Sequence, residues 1–197
     1  MNTLQPQAKR YSLIAVLLHW LIALLFAGMI GVGFYMTRLG DTELGLKFSL
    51  YQWHKSFGIT IMLLTLCRLG WRLTHTPPRN TNFRAWDQRI AATVHILLYS
   101  LTFAIPLMGW AMVSASPFNI PTLLFGEFHW PHFTFLSELP DKASAESMLK
   151  LIHKTLAYGA AALALVHMAA ALRHHFILRD NTLMKMIPAA TKARSTE

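Results

Sequence analysis

Three long stretches of this chain carry no Asp, Glu, Lys or Arg, and they limit its possible folds more than any other feature. Tyr11 to Thr37 runs 27 residues without one, Ile90 to Gly126 runs 37, and Thr155 to Leu172 runs 18. A fourth stretch, Ser56 to Cys67, has 12. Lys55 and Arg68 at its ends can snorkel, so its apolar length reads as roughly Phe48 to Trp71. A membrane-crossing helix needs about 20 mostly apolar residues. The expected fold is therefore all-α, an integral membrane four-helix bundle. A net charge of +9 would ordinarily suggest nucleic acid. Here the charges are shut out of the apolar runs, which points to membrane lipid and not to nucleic acid. The first run follows Lys9 and Arg10 as a signal peptide would, but it is too long and ends without a small-residue cleavage pattern. The one cysteine, Cys67, excludes an intramolecular disulfide, a Cys-based zinc site and the C-x-x-C-H haem attachment motif.

Loop charges give an expected orientation. Two Lys or Arg precede the first span, five arginines lie between the second and third (Arg68, Arg72, Arg79, Arg84, Arg89), and five follow the fourth, twelve on one side. The other side carries six, with six acids. The positive-inside rule then puts both termini in the cytoplasm. The division expected is a cytoplasmic N-terminal segment 1–10, a four-span domain 11–187 and a disordered cytoplasmic tail 188–197.

Pro106 and Gly109 are tolerable inside the third span and expected to kink it. Thr76-Pro77-Pro78 closes the second span region, since proline cannot continue a helix. The outer segment from about Ser114 to Lys150 holds Pro117, Pro121, Pro131 and Pro140 among Phe118, Phe125, Phe128, Trp130, Phe133 and Phe135. Such a segment lies on the membrane interface as a lid, and an aromatic belt without chemical role is its simpler reading.

Ten histidines are many for 197 residues, and five fall in or at the edge of a span: His19, His54, His95, His153 and His167. Ionisable side chains there are costly and point to a functional site. His153 and His167 lie fourteen residues apart, about 21 Å along a helix and about 40° short of four full turns. Both therefore share one face at two depths. His54 and His153 form an outer level, and His19, His95 and His167 an inner one. Paired imidazoles at two levels suit two haems with bis-histidine axial ligation. Zinc or copper is the rival, because imidazole suits those ions too, but no Asp or Glu accompanies the histidines in the spans. Small residues near them (Ala157, Gly159, Ala160, Ala161 and Ala164; Gly28, Gly31 and Gly33) either make room for flat macrocycles or allow close helix packing.

The strings RYSLIAVLLHW (Arg10 to Trp20), WHKSFGI (Trp53 to Ile59), HILLY (His95 to Tyr99) and LVHMAAALRHHF followed by RDNTL (Leu165 to Leu183) together resemble the bacterial cytochrome b561 family. That family is related to the di-haem membrane subunits of nickel hydrogenases and formate dehydrogenases. The resemblance spans about Arg10 to Ile187. It implies two non-covalent b haems in a four-helix bundle of the bacterial inner membrane, exchanging electrons with quinones in the respiratory chain. By position it implies His54 and His153 as axial ligands of the outer haem iron and His19 and His167 of the inner one. It leaves His95 with another role.

His174 and His175, beside Arg173, either relay protons to a quinone or face the headgroups. Arg68 and Arg72 either pair with haem propionates or serve topology and lipid contact. The function expected is transmembrane electron transfer between a periplasmic-side partner and the quinone pool, with no catalytic residue assigned. The alternative is an enzyme, since some members of this family oxidise superoxide and pass the electron to ubiquinone. Lys55 and Lys154 suit either attraction of that anion or snorkelling. A haem-free metal or proton transporter is the third reading, and no acidic residue in a span supports it.

Overall fold

A computed structural model describes residues 10–76 and 84–187. Four long helices dominate it: α1 (Leu13–Met36), α2 (Leu44–Thr74), α3 (Ala85–Ser114) and, after a short α4 (Thr134–Ser137), α5 (Lys142–Phe176). All four long helices are apolar and long enough to cross a membrane. In lipid the backbone must satisfy its own polar groups, and a helix does so within one segment. Ser12 caps α1 by accepting the Ala15 N–H at 3.3 Å, and Asp141 caps α5 by accepting the Ser144 N–H at 3.0 Å. That bond holds the Asp141 carboxyl below the usual carboxylate range. α3 continues through Pro106, which has no N–H to offer Thr102.

The helices do not pack evenly. α2 lies in the middle, against α1 on one side and α3 on the other, and α3 packs along α5. α1 approaches α5 at only a few places, and α2 and α5 make no extended contact. Only 6% of the apolar window of α5 is buried, and Ala160 is the buried residue of that helix. A small residue at a close helix contact is the usual membrane arrangement. Gly159 faces open space. Packing therefore accounts for Ala160, and most of α5 is exposed in the bundle.

The connection from α3 to α5 folds back on α2. Its two strands, β1 (Thr122–Leu124) and β2 (Phe128–Trp130), pair antiparallel. The turn between them puts Phe125 and Gly126 in left-handed backbone, at φ 54° and 82°. Glycine adopts that readily, whereas Phe125 needs compensation. It has some: its N–H donates to Ser56 Oγ at 2.9 Å, and its ring meets Trp53 and Phe57 edge-on. Gln52 Nε2 and Lys55 Nζ both donate to the Pro121 carbonyl, Trp110 Nε1 to Pro131 and the Phe133 N–H to Ser114 Oγ. The segment expected as an interfacial lid or belt is a folded cap hydrogen-bonded to α2 and α3.

At the opposite end, Trp71 Nε1 donates to Ser12 Oγ, and Trp20 Nε1 to the Met186 carbonyl at 2.7 Å. These bonds tie the end of α2 and the segment after α5 to α1. The two ends of the bundle are called here the hairpin end, expected outside, and the termini end. The Pro77-Pro78 turn, Arg79, the tail 188–197 and all of segment 1–10 except Arg10 lie outside the described residues.

Candidate functional site

Both depths on α5 meet a histidine from another helix. At the hairpin end His54 of α2 faces His153 of α5, with ring centroids 6.3 Å apart and planes at 72°. At the termini end His19 of α1 faces His167 of α5, again at 6.3 Å, with planes at 76°. His95 of α3 also meets His167, at 5.3 Å. The two 6.3 Å pairs bridge the helix pairs that barely pack, α2 with α5 and α1 with α5.

The separation carries chemical information. Two imidazoles on opposite sides of one metal, each at about 2 Å from it, have ring centroids about 6.3 Å apart. Both pairs fit that arrangement, and the His95 and His167 rings are too close for it. Among the described residues no three His, Cys, Asp or Glu side chains converge as a metal-binding group. Two imidazoles on opposite faces of a planar iron group make a two-donor set.

Backbone features set the hairpin-end rings. His153 Nδ1 lies 2.9 Å from the Ile105 carbonyl. A carbonyl only accepts, so Nδ1 carries the proton and the Nε2 lone pair is free to ligate. A Cβ at Gly109 would sit 3.1 Å from His153 Cε1, and one at Gly33 would sit 3.3 Å from His54 Cε1. Each ring therefore lies where only glycine leaves room. His54 Nδ1 is buried and has no hydrogen-bond partner among the described residues. A buried imidazole nitrogen without a protein partner is unusual away from a binding site. Gly28 and Gly31 face open space, so of the three α1 glycines only Gly33 touches a histidine.

The termini end is charged instead. Arg68 is half-buried; its Nε donates to the Tyr99 hydroxyl at 2.8 Å and a terminal nitrogen to the Ala15 carbonyl at 3.1 Å. Those two partners stand one helical turn from His95 and His19 respectively, so the guanidinium lies beside the termini-end histidines. Arg68 is thus bonded inward to two neighbouring helices, α1 and α3.

The remaining expected residues fall elsewhere. His174 Nδ1 pairs with Asp180, and His175 lies edge-on to Phe176. Burial pushes the Asp180 carboxyl up, but hydrogen bonds from Thr182 and the His174 contact more than offset it and hold it below the usual range. Lys55 binds the cap through Pro121, and Lys154 is exposed. Sequence reasoning missed Tyr99, the Ile105 carbonyl and the Ser56 contact to the cap. Tyr99 follows His95 by one helical turn, a spacing that marks the same face; the two backbone-directed contacts carry no side-chain pattern.

Comparison with known proteins supplies the family. Residues 10–189 match the family model described as prokaryotic cytochrome b561. The chain is 32% identical to cytochrome b561 homolog 2 of Escherichia coli, covering 91% of this chain and 92% of that protein. It is 30% identical to cytochrome b561 homolog 1 of Escherichia coli, over 91% and 98%. A probable superoxide oxidase CybB of Yersinia pestis is 29% identical over 91% of this chain and 97% of its own. The chain belongs to the prokaryotic cytochrome b561 family, as a multi-pass bacterial membrane protein of electron transfer in a family whose cofactor is haem b.

Proposed function

We propose that this chain binds two b haems, one between His54 and His153 and one between His19 and His167, and passes electrons between an outer-face partner and the membrane quinone pool. The single observation that carries the reading is the repeated 6.3 Å imidazole separation across helices that do not otherwise pack. When bound, haem would supply a one-electron iron couple, and these four imidazoles would hold it. The chain's own part is to hold ligands, exclude water and space the sites. His153 presents Nε2 because Ile105 holds the other nitrogen, and Gly33 and Gly109 let the rings lie against backbone. Fourteen residues of α5 separate its two ligands, about 21 Å of helix rise. The loop charges support an orientation with both termini in the cytoplasm of the inner membrane, which puts His54 and His153 outermost. His95, beside His167 but too close to it to share a metal axially, is assigned no iron.

The test is spectroscopic. Membrane protein purified from haem-replete cells should give about two non-covalent haems per chain by pyridine haemochrome assay. Anaerobic quinol should reduce both. A colourless preparation removes the haem reading, and haems that quinol leaves oxidised remove the quinone.

A second reading, superoxide as outer donor, has two supports. One relative is a probable superoxide oxidase. In addition, His132 in the cap is pushed below the usual imidazole range by burial and by neighbouring Lys55, His129 and Lys142, so cations that could attract an anion gather near it. Superoxide should then reduce the haems faster than a redox-inert protein consumes it.

A further inference from the structure

Arg68 occupies a position on α2 that the ligand pairs do not use. It lies fourteen residues beyond His54, the same interval that separates His153 from His167 on α5. That interval returns a side chain to nearly the same helical face four turns deeper. So α2 presents an imidazole at the hairpin end and a guanidinium at the termini end. The guanidinium is fixed on both sides. Tyr99 Oη, which accepts from Nε, stands one turn along α3 from His95, and the Ala15 carbonyl stands one turn before His19 on α1. The guanidinium carbon lies 5.6 Å from the Tyr99 ring centroid.

Both hydrogen-bond partners are neutral. Among the described residues the ion pair present is that of His174 with Asp180, so no side-chain carboxylate pairs with Arg68. A cation at this depth is costly, and guanidinium stays protonated throughout the accessible pH range. What it can stabilise is a neighbour that gains negative charge. Reduction of iron from ferric to ferrous adds one electron, and the charge at the inner site falls by one. A fixed cation nearby favours that reduced state, an effect on the order of tenfold in the equilibrium through partly buried protein.

We infer that Arg68 is a potential-setting residue: its fixed positive charge raises the reduction potential of the inner haem and draws the electron towards the termini end. This rests on the haem assignment proposed above, so the experiment separates the two. Purified holoprotein is titrated anaerobically with dithionite, each iron taking one electron, and the inner component is identified as the one missing in His167→Ala. If wild type holds fewer than two haems per chain, or His167→Ala removes none, the haem assignment itself fails, whatever Arg68 does.

With two components, Arg68→Gln should lower the inner one by about tenfold in reduction equilibrium, which is about 59 mV for a one-electron couple, and move the outer one by less than about threefold. Arg68→Lys keeps the charge and should stay within about threefold of wild type. An inner potential unchanged in Arg68→Gln, or an equal shift of both components, overturns the inference. So does loss of the inner haem from both Arg68→Gln and Arg68→Met, since the charge would then serve retention. If neither neutral variant folds, Arg68→Lys decides, and a fall of tenfold or more there would tie the effect to guanidinium geometry and not to charge.

Discussion

The two ends of the bundle hold similar histidine pairs by different means. At the hairpin end the rings of His54 and His153 are set by backbone: two glycines give them room and the Ile105 carbonyl fixes one tautomer. A cap anchored to α2 through Gln52, Lys55 and Ser56 closes that end. At the termini end three histidines share the space with Arg68 and Tyr99, and no glycine touches a ring. Ring separation is the same in both pairs, so ligand geometry alone cannot make the sites differ. Their surroundings can: steric constraint dominates one, electrostatics the other. In a relay that difference separates two tasks, holding the entry site rigid and setting the energy of the inner one.

Ligand substitutions should break the comparison most strongly. His54→Ala or His153→Ala should reduce the haem content from about two to one per chain and spare the inner component, while His19→Ala or His167→Ala should do the reverse. His95→Ala should keep both. A haem lost from His95→Ala and kept in His19→Ala would exchange their roles.

Steric control should appear next. Gly109→Ala puts a methyl group 3.1 Å from the His153 ring, closer than nearly all real side-chain contacts. It should shift or partly empty the outer site, read as a change confined to that component of the reduced spectrum. Gly33→Ala, at 3.3 Å from His54, should do the same more weakly. Equal disturbance of both components by either variant would contradict steric control of one end alone.

Smaller effects test the two covers. Ser56→Ala removes the acceptor of the Phe125 N–H and should loosen the hairpin by about 1 kcal/mol. Faster hydrogen exchange at that amide, with haem content unchanged, is the measurement. Asp180→Asn should weaken the link from His174 to the segment after α5 by a few tenths of a kcal/mol once solvent screening is counted. Limited proteolysis after Phe176 would report it. In the parent chain the Asp180 carboxyl sits below its unfolded value, so its contribution is complete at neutral pH. It is lost as pH falls through about 4 and below. Cleavage that responds to neither acid nor the substitution would mean that Trp20 and Met186 hold the segment by themselves.

The amino-acid sequence alone determined the four helices and the depths of the histidines. Charge-free runs longer than a bilayer crossing allow little else, and helical rise converts residue spacing into depth without reference to neighbours. The family was legible for the same reason, because its strings of residues lie on those runs. Which helices pack closely was not legible, since packing of α3 on α5 and of α2 between α1 and α3 depends on surfaces from separate parts of the chain. Aromatic and proline content records affinity for the interface and so suggested a lid or a belt there, whereas the bonds that anchor the cap to Gln52, Lys55 and Ser56 are long-range and involve its backbone. Arg68 is the clearest case. Its charge and its distance from His54 stand in the sequence, but only the tertiary structure decided that Tyr99 and Ala15 turn it inward, because a snorkelling arginine and a buried one differ only in what the neighbouring helices offer.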